Sequence, residues 1–320
     1  MTVRFASPVD GSLLTEKDGG LTDKSGNFFQ VVAGIPRFCG SENYADNFGK
    51  QWNRFSRTQL DDPDSGLTFS ERRFFAESGW SPESLDGLDI LEVGSGAGRF
   101  SKVVLEKTAA RLWSVDYSNA VDANLAENGA IAPDRFNLAQ ASIYELPFGD
   151  DSFDRIFCFG VLQHTPDVAK SVEALIAKAK PGGEIAVDFY ARRHAFSTFN
   201  AKYLLRPLTR RVEHDRLLQL IDDNIDWLIR LFDTLNRFGI AALTRFLPLA
   251  DLRLFPAGLN ESERREWALL DTFDMFSPEY DQPQRIKDVA AMFERSGARV
   301  SFSGHVDVEG SPAVVRAIKL

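Results

Sequence analysis

Three glycines in one short segment are the residues whose spacing most clearly points to chemistry. Gly94, Gly96 and Gly98 alternate with small residues in the run Glu92-Val93-Gly94-Ser95-Gly96-Ala97-Gly98-Arg99. Glycine lets the backbone turn tightly and approach a ligand closely, and the free N–H groups of a following helix attract a negatively charged group. Asp116 comes 22 residues after Gly94, where a carboxylate can accept two hydrogen bonds from ribose hydroxyls. The spacing therefore predicts a site for a ligand that contains a nucleoside.

The residue after the third glycine separates two classes of nucleoside ligand. A turn that binds a dinucleotide needs Gly or Ala there, because the helix packs closely and the pyrophosphate lies against its first turn. Arg99 occupies this position, and its bulk disfavours a nicotinamide dinucleotide. S-adenosylmethionine has an amino-acid tail and no pyrophosphate, and the Glu92 carboxylate is directed toward the same turn. An ordinary tight turn is the alternative interpretation, and the distance to Asp116 makes it less favourable.

The elements that would position this turn alternate between strand and helix from Asp89 onwards. The predicted strands are DILEVGSG, RLWSVD, NLAQAS, residues 154–160, EIAVDFYA, ARVSFSG and AVVRAIKL. Helices are predicted for GRFSKVVLEK, NAVDANLAEN, the segment that begins at Pro166 and is stopped by PGG at 181–183, and QRIKDVAAMFERSG. This alternation is typical of a parallel sheet with helices on its faces.

The regions that flank this core, which covers residues 89–190 and 284–320, have a different character. Residues 1–40 are rich in turn-forming pairs and predict a small β-rich module, and residues 41–88 predict a helical lid or linker. Residues 191–283 have little strand character and contain an amphipathic stripe. We expect this region to be a helical cap inserted after the fifth strand. The stripe is formed by Ile221, Ile225, Leu228, Phe232 and Leu235.

The composition indicates a folded protein that acts on something other than a polyanion. The 320 residues are 44% hydrophobic and 26% charged, with a formal net charge of -9, so the surface field repels nucleic acid unless a local basic face exists. Two cysteines are too few for a disulfide framework. No signal-peptide pattern and no run of about 18 apolar residues occurs. We expect a cytoplasmic protein without a membrane span, and the oligomeric state stays open.

Four segments together resemble a known family. DILEVGSGAGRF, WSVDYS, ASIYELPFGDDSFDRIFCFGVLQH and AKPGGEIAV are similar to the successive motifs of class I S-adenosylmethionine-dependent methyltransferases, in particular the small-molecule branch. The resemblance implies a doubly wound, Rossmann-like α/β fold with seven strands in the order 3-2-1-4-5-7-6 and an antiparallel seventh strand. It also implies S-adenosylmethionine as the cofactor.

The resemblance assigns roles to residues along the carboxyl edge of the sheet. The methionine tail would lie against the turn, with Glu92 organising the pocket; the turn residues involved are Gly94, Ser95, Gly96 and Gly98. Asp116 would hold the ribose, and Tyr117 would pack near the adenine. Many relatives hold the adenine amino group with an acidic residue where this chain has Ser142, so we expect the Ser142 hydroxyl or the backbone of Ile143 to bind it. Phe159 ends the fourth strand, where the cofactor faces its acceptor.

Methyl transfer is an in-line displacement that requires alignment, exclusion of water and in some cases removal of a proton. His164, just past the fourth strand, is the candidate for a base or a substrate-orienting group, and a histidine that only hydrogen-bonds the loop is an equal alternative. Further substrate candidates follow the strands or lie in the flanking regions: Tyr44, Gln51, Tyr190, His194 and Tyr280. Tyr44 and Gln51 belong to a segment that would fold over the cofactor as a lid, or pack as a plain amphipathic helix.

The first forty residues resemble the small zinc ribbon that precedes some bacterial methyltransferase domains. The positions of the metal ligands fall on Ser7, Asp10, Thr22 and Ser25. Hydroxyl groups are poor substitutes for the thiolate or imidazole ligands of tetrahedral zinc. We therefore predict a ribbon-like module that holds no metal.

The sequence as a whole predicts methyl transfer to a small, hydrophobic or aromatic acceptor at oxygen, nitrogen or carbon. The aromatic residues of the cap favour such an acceptor, although they would also serve to pack the cap's own core. Three alternatives remain: a methyltransferase acting on RNA or protein, an NAD-dependent oxidoreductase, and a regulator that binds S-adenosylmethionine without turnover. The acidic balance disfavours RNA, and Arg99 disfavours NAD.

Overall fold

The computed structural model describes residues 3–40, 43–55, 58–61, 68–192 and 200–320. Within these ranges the chain forms a seven-stranded sheet in the order β10-β11-β9-β8-β5-β6-β7. Its strands are β5 (Asp89–Val93), β6 (Arg111–Asp116), β7 (Phe136–Gln140), β8 (Phe153–Cys158), β9 (Ala179–Phe189), β10 (Ala298–His305) and β11 (Ala313–Lys319). Strand β11, the seventh strand of this sheet in chain order, is antiparallel to both of its neighbours. The other neighbouring pairs, among β5, β6, β7, β8 and β9, are parallel. The predicted strand order and the antiparallel seventh strand are confirmed.

Helices cover both faces of this sheet because its central strands are apolar on both sides. Along β5, Leu91 and Val93 pack into one buried cluster and Ile90 packs into another. Parallel strands buried on both faces read as continuous hydrophobic runs of this kind. The helices of the core are α2 (Phe69–Ser78), α3 (Arg99–Lys107), α4 (Val121–Asn128), α5 (Val168–Lys178) and α9 (Ile286–Arg295).

The PGG segment has a different role from the one predicted. Helix α5 ends at Lys178, before Pro181 and the two glycines that follow it. Strand β9 begins at Ala179 and contains PGG, and its register with β8 shifts between the pairs Phe153↔Ala179 and Arg155↔Glu184. The additional residues therefore form an irregularity in the strand, which Gly182 allows by adopting a positive φ of 78°.

A small antiparallel sheet precedes the core and adjoins its edge. Its strands are β1 (Thr15–Lys17), β2 (Gly20–Thr22), β3 (Phe28–Val32) and β4 (Ile35–Pro36), paired in chain order. Phe29 and Phe38 pack into the same buried cluster as the central strands. The Phe38 N–H donates to the Gln140 carbonyl over 2.8 Å, which ties this module to β7. The predicted small β-rich region is thus packed against the sheet.

The region after β9 is helical and has its own buried cluster. It contains α6 (Ala201–Thr209), α7 (His214–Arg237) and α8 (Glu261–Phe276). Four residues of the predicted stripe are buried against α8, namely Ile221, Ile225, Leu228 and Phe232, and Leu235 is half-buried. Phe55, which follows α1 (Asp46–Arg54), packs into this cluster, so α1 connects cap and core. No helix in the described ranges is both long enough and apolar enough to cross a bilayer.

Candidate functional site

Each of the three glycines is required for a different steric reason. All three have positive φ angles, which disfavour any residue with a Cβ. A Cβ at Gly94 would lie 2.1 Å from Cγ2 of Val161, and one at Gly98 would lie 2.1 Å from Oδ1 of Asn124. Gly96 faces the indole of Trp52 in α1, with Nε1 3.2 Å from the position of a Cβ. The turn is therefore enclosed by neighbouring side chains, and Gly98 faces the protein interior.

Asp116 lies at the end of β6 and is tied directly to this turn. Its Oδ2 accepts a hydrogen bond from the Gly96 N–H over 2.8 Å. Its Oδ1 accepts from the backbone N–H and the hydroxyl of Ser118, over 2.8 and 2.6 Å. Burial raises the pKa of Asp116, while these three hydrogen bonds oppose the shift because they stabilise the charged form. The carboxylate is thus held in one orientation at the mouth of the turn.

Glu92 lies beneath the turn and organises it from behind. Its carboxylate accepts hydrogen bonds from the hydroxyls of Ser101 and Ser114, the latter over 2.8 Å. Asn124 donates to the Ser101 hydroxyl over 3.0 Å, which extends the network to α4. Burial raises the pKa of Glu92 to about 7. Its effect on a ligand is therefore indirect, through the geometry of the strand, the turn and the two helices that it joins.

A cavity of about 580 Å³ opens at the carboxyl edge of the sheet, between the core, α1 and the cap. Its size is in the range of small-molecule sites. Eleven of the residues singled out from the sequence line it: Tyr44, Gln51, Gly94, Ser95, Gly96, Asp116, Tyr117, Ile143, Phe159, His164 and Tyr190. These residues come from six separate parts of the chain, and the fold brings them to one space.

Other predicted site residues lie elsewhere. Glu92 and Gly98 support the turn as described above. The Ser142 hydroxyl accepts a hydrogen bond from the Tyr144 N–H over 3.2 Å and lies outside the cavity lining, so it caps a local turn. Tyr280 packs its ring edge-on against Tyr44 and contributes its backbone carbonyl to His164. His194 lies outside the described residues.

The His164 imidazole is buried and oriented by one backbone carbonyl. Its Nδ1 lies 3.0 Å from the carbonyl oxygen of Tyr280. A carbonyl only accepts, so Nδ1 carries the proton and Nε2 keeps a lone pair. Burial lowers the pKa of His164, which favours the neutral ring near pH 7. The rings of Phe48 and Tyr190 flank it at 5.2 and 5.5 Å.

Several charged residues of the cavity were missed by the sequence analysis. Asp188, near the end of β9, accepts hydrogen bonds from Arg73 over 2.6 Å and from the Gly160 N–H. Arg73 also pairs with Glu77, whose pKa burial raises to about 8. A carboxylate inside the apolar strand EIAVDF was a signal that could have identified Asp188. The cap residues Asp271 and Asp274 line the same cavity, at i and i+3 of α8.

The buried polar atoms of the cavity show that it is built for a polar ligand. Gln51 is only 1% exposed, and neither side-chain amide atom has a hydrogen-bond partner among the described residues. The Ser95 hydroxyl is also buried and without a partner there. Buried polar atoms are costly unless they are hydrogen-bonded. A ligand that lies along the glycine turn would satisfy them.

Three of the four positions predicted to replace zinc ligands form side-chain hydrogen bonds with one another or with a nearby carboxylate, whereas the buried Thr22 hydroxyl has no partner among the described residues. The Ser7 hydroxyl donates to Asp23 over 2.7 Å, and the Ser25 hydroxyl donates to Asp10 over 2.6 Å. The backbone N–H of Asn27 also donates to Asp23, over 2.8 Å. Across the described ranges, no group of three or more His, Cys, Asp or Glu side chains is arranged to hold a metal ion.

The comparison with protein families decides the class of the core. Residues 91–187 match the family described as a methyltransferase domain. The core is a class I S-adenosylmethionine-dependent methyltransferase domain. This replaces the alternative of an NAD-dependent oxidoreductase. The groups around the cavity fit S-adenosylmethionine, because a glycine turn, a carboxylate at the end of β6 and unpartnered buried polar atoms all line it.

Relatives of this methyltransferase domain act on different acceptors. The chain is 28% identical over 134 residues to the ubiquinone biosynthesis O-methyltransferase of Stutzerimonas stutzeri (strain A1501), covering 40% of this chain and 56% of that protein. It is 30% identical over 105 residues to the tRNA U34 carboxymethyltransferase of Nautilia profundicola, covering 33% and 35%. A solved S-adenosylmethionine-dependent methyltransferase from Aquifex aeolicus has a TM-score of 0.48 at 14% identity, covering 85% of this chain and 98% of that one. The chain thus spans about half the length of the first relative and a third of the second.

Proposed function

We propose that the whole chain transfers the methyl group of S-adenosylmethionine to a small acceptor with a hydrophobic or aromatic body. One observation carries this proposal: a single cavity joins the glycine turn and Asp116 on one side to the cap on the other. Aromatic side chains from the core, α1, α2 and the cap line it: Phe48, Trp52, Phe69, Phe159, Tyr190, Phe255 and Trp267. Donor and acceptor sites that share one enclosed space allow in-line displacement.

The residues of the core provide one contact surface for each part of the donor. S-adenosylmethionine, when bound, supplies an electrophilic methyl group. The backbone at Gly94 and Gly96, which carries no side chain, would lie against its amino-acid end, and Asp116 would accept hydrogen bonds from the ribose hydroxyls. Ile143 and Tyr117 form apolar walls for the adenine. The sequence left the adenine contact open between Ser142 and Ile143. We assign it to Ile143, because of these two residues only Ile143 lines the cavity.

His164 is proposed to remove a proton from the acceptor. Its Nε2, which has no hydrogen-bond partner among the described residues, is compatible with an acceptor hydroxyl or amine, and its lowered pKa keeps the lone pair available at neutral pH. The Tyr280 carbonyl fixes the orientation of the ring, so the base is held in place before the acceptor arrives. Tyr190, edge-on to His164, offers its ring face to the same acceptor.

The flanking regions are proposed to exclude water from the reaction. Helix α1 packs Trp52 against the glycine turn and directs Gln51 into the cavity lining. The cap covers the opposite side with α8. Exclusion of water strengthens the electrostatic interactions in a site and prevents side reactions. We therefore propose that α1 acts as a lid on the donor and that the region of α6, α7 and α8 acts as the acceptor cap.

The test is a search for the labelled product. The protein would be incubated with methyl-labelled S-adenosylmethionine and, in parallel, with the metabolite, RNA and protein fractions of a cell extract. We expect label in a small molecule that is identified by mass spectrometry, and no label with Asp116→Ala. Label found only in RNA or protein would contradict the acceptor class. Binding of S-adenosylhomocysteine without any labelled product would indicate a regulator instead of an enzyme.

A further inference from the structure

The guanidinium of Arg99 is held in a fixed plane beside the glycine turn. Its Nε donates to the Ser70 hydroxyl over 2.9 Å, and its Nη1 donates to the side-chain carbonyl of Gln59 over 3.0 Å. The rings of Phe69 and Phe100 lie 4.7 and 4.9 Å from its central carbon. These contacts leave Nη2, which is buried and has no hydrogen-bond partner among the described residues.

Arg99 also forms no ion pair with a residue that the structure describes. No carboxylate in the described ranges lies within ion-pair distance of its guanidinium, although Arg99 lines the cavity. Burial and the nearby charge of Arg73 lower the pKa of Arg99 to about 9. A buried charge without a partner is costly, and a planar guanidinium is well suited to a carboxylate. The free edge of Arg99 therefore favours an anionic group that enters the cavity.

An unpaired carboxylate lies on the other side of the same amide. Gln59 accepts from Arg99 through its carbonyl, and its Nε2 donates to Oδ1 of Asp271 in the cap over 3.3 Å. Asp271 lines the cavity and forms no ion pair with a described residue. Burial, with a contribution from the charge of Asp274, raises the pKa of Asp271 to about 7. The wall thus presents a guanidinium and a carboxyl group joined through two hydrogen bonds and one amide group, and a bound cation would favour the charged form of the carboxyl group.

This arrangement is complementary to an α-amino acid, which carries a carboxylate and an ammonium group on one carbon. A second observation points to a ligand in the same cavity, since the buried Gln51 amide also has no partner among the described residues. We propose that Arg99 and Asp271, joined by Gln59, bind the carboxylate and the ammonium of the methionine end of S-adenosylmethionine. The cap then contributes directly to donor binding. This inference rests on the proposed function, because it assumes that S-adenosylmethionine is the donor.

The test compares two ligands that differ in the amino-acid end. S-adenosylhomocysteine carries it, and 5′-methylthioadenosine lacks both the carboxylate and the amine. Affinities would be measured by isothermal titration calorimetry on the full chain, so no turnover is needed. Arg99→Met should lower the affinity for S-adenosylhomocysteine about 10-fold to 100-fold, the effect of one charged hydrogen-bonded contact. Asp271→Asn, which keeps the shape, should lower it about 3-fold to 10-fold. Both variants should bind 5′-methylthioadenosine as the unaltered protein does, within about 2-fold.

Matched controls come from the outer surface of the cap. Arg264 and Asp233 form an exposed ion pair with Nη2 and Oδ1 2.6 Å apart, so Arg264→Met and Asp233→Asn should change neither affinity. Arg99→Lys keeps the charge but loses the planar fork, and serves if Arg99→Met does not fold. It should still bind S-adenosylhomocysteine several-fold more weakly, with 5′-methylthioadenosine unaffected.

The outcomes separate this inference from the proposed function. Equal losses for both ligands would indicate a structural role for Arg99 and would overturn the inference. Unchanged affinity for S-adenosylhomocysteine in Asp271→Asn would overturn the part assigned to the cap. Unchanged affinity in Arg99→Met would overturn the part assigned to Arg99 and would point instead to an acceptor with an amino-acid group. An unaltered protein that binds neither ligand would instead contradict the proposed function.

Discussion

Two titratable side chains at the carboxyl edge of the sheet, Asp116 and His164, are each oriented by the backbone of a neighbouring segment. Gly96 and Ser118 hold the carboxylate, and Tyr280 holds the imidazole. Backbone groups are fixed by the fold, so these side chains have little freedom to reorient when a ligand arrives. Such pre-organisation is what a site needs for both binding and proton transfer.

Asp116→Ala should weaken the binding of S-adenosylhomocysteine by about 10-fold to 100-fold, because a charged acceptor of ribose hydrogen bonds is lost. The measurement is titration calorimetry. Asp150→Ala is a control, since Asp150 is an exposed turn carboxylate that pairs with Lys178 far from the cavity lining. Unchanged affinity in Asp116→Ala would contradict the assignment of Asp116 to the ribose.

If His164 is the base, turnover should depend on pH through the protonation of its ring. Only the neutral ring accepts a proton, and burial lowers its pKa, so the rate should be constant at neutral pH and fall only below the ordinary histidine value of about 6.5. His164→Gln should lower the rate constant by about 10²-fold to 10⁴-fold and remove this acidic decline. Affinity for S-adenosylhomocysteine should stay the same. A rate profile identical to that of the unaltered protein would leave His164 as a loop residue.

At the scale of elements, the glycine turn is coupled to α4 through buried amide groups. The side chain of Asn128 donates to the Gly98 carbonyl over 2.9 Å and to Oδ1 of Asn124 over 2.8 Å. There is no space for a side chain between Gly98 and these two amides. The strand, the turn and two helices therefore form one unit, and Glu92 joins them from below.

Gly98→Ala should reduce the free energy of unfolding by roughly 2–4 kcal/mol, because the cost of a left-handed backbone conformation and the cost of a steric overlap add together. Gly239→Ala is the matched control. Gly239 has a φ of 73°, and nothing lies within 4 Å of its Cβ position, so only the backbone strain of about 1–2 kcal/mol is expected. Chemical denaturation measures both. Equal losses in the two variants would show that the packing of Gly98 against α4 contributes nothing.

The amino-terminal module is expected to fold without metal. Hydrogen bonds between Ser7 and Asp23 and between Ser25 and Asp10 connect its turns in place of metal ligands. Elemental analysis of the purified protein should find no stoichiometric zinc, and a chelator should leave the unfolding temperature unchanged. One zinc ion per chain would refute this prediction.

At the scale of the whole molecule, core and cap have separate buried clusters that meet around the cavity. Ile225 and Phe273 belong to the cap cluster, and Leu91 and Ile90 belong to clusters of the sheet. Phe55, next to α1, packs with the cap while Trp52 faces the glycine turn. Local opening of the cap can therefore occur while the sheet stays folded.

Ile225→Ala should test this independence. The side chain is completely buried in the cap cluster, so its truncation should cost about 2–5 kcal/mol of local stability. Hydrogen exchange should accelerate in α7 and α8 and stay unchanged in β5 and β6. Faster exchange across the sheet as well would show that cap and core unfold as one unit.

The local parts of the site could be predicted from the sequence alone. The turn at Gly94 and the carboxylate at Asp116 follow from chain order, since parallel strands end at one edge and short motifs carry their own geometry. The small β-rich character of residues 1–40 and the amphipathic stripe of α7 could likewise be predicted, because turn residues and helical spacing act over a few positions. The strand irregularity at residues 181–183 could not be predicted in this way, because it depends on how β9 pairs with β8.

The long-range contacts of the site were decided only by the tertiary structure. From the sequence, Arg99 was only a bulky residue in the wrong place for a dinucleotide. Packing brings Gln59 and Asp271, 212 positions apart, to within 3.3 Å beside it. No spacing rule encodes such a contact, because it depends on how α8 of the cap closes over the sheet. Short motifs and the order of the strands thus determined the donor class and the fold. Burial and the juxtaposition of distant charges decided which side chains line the cavity.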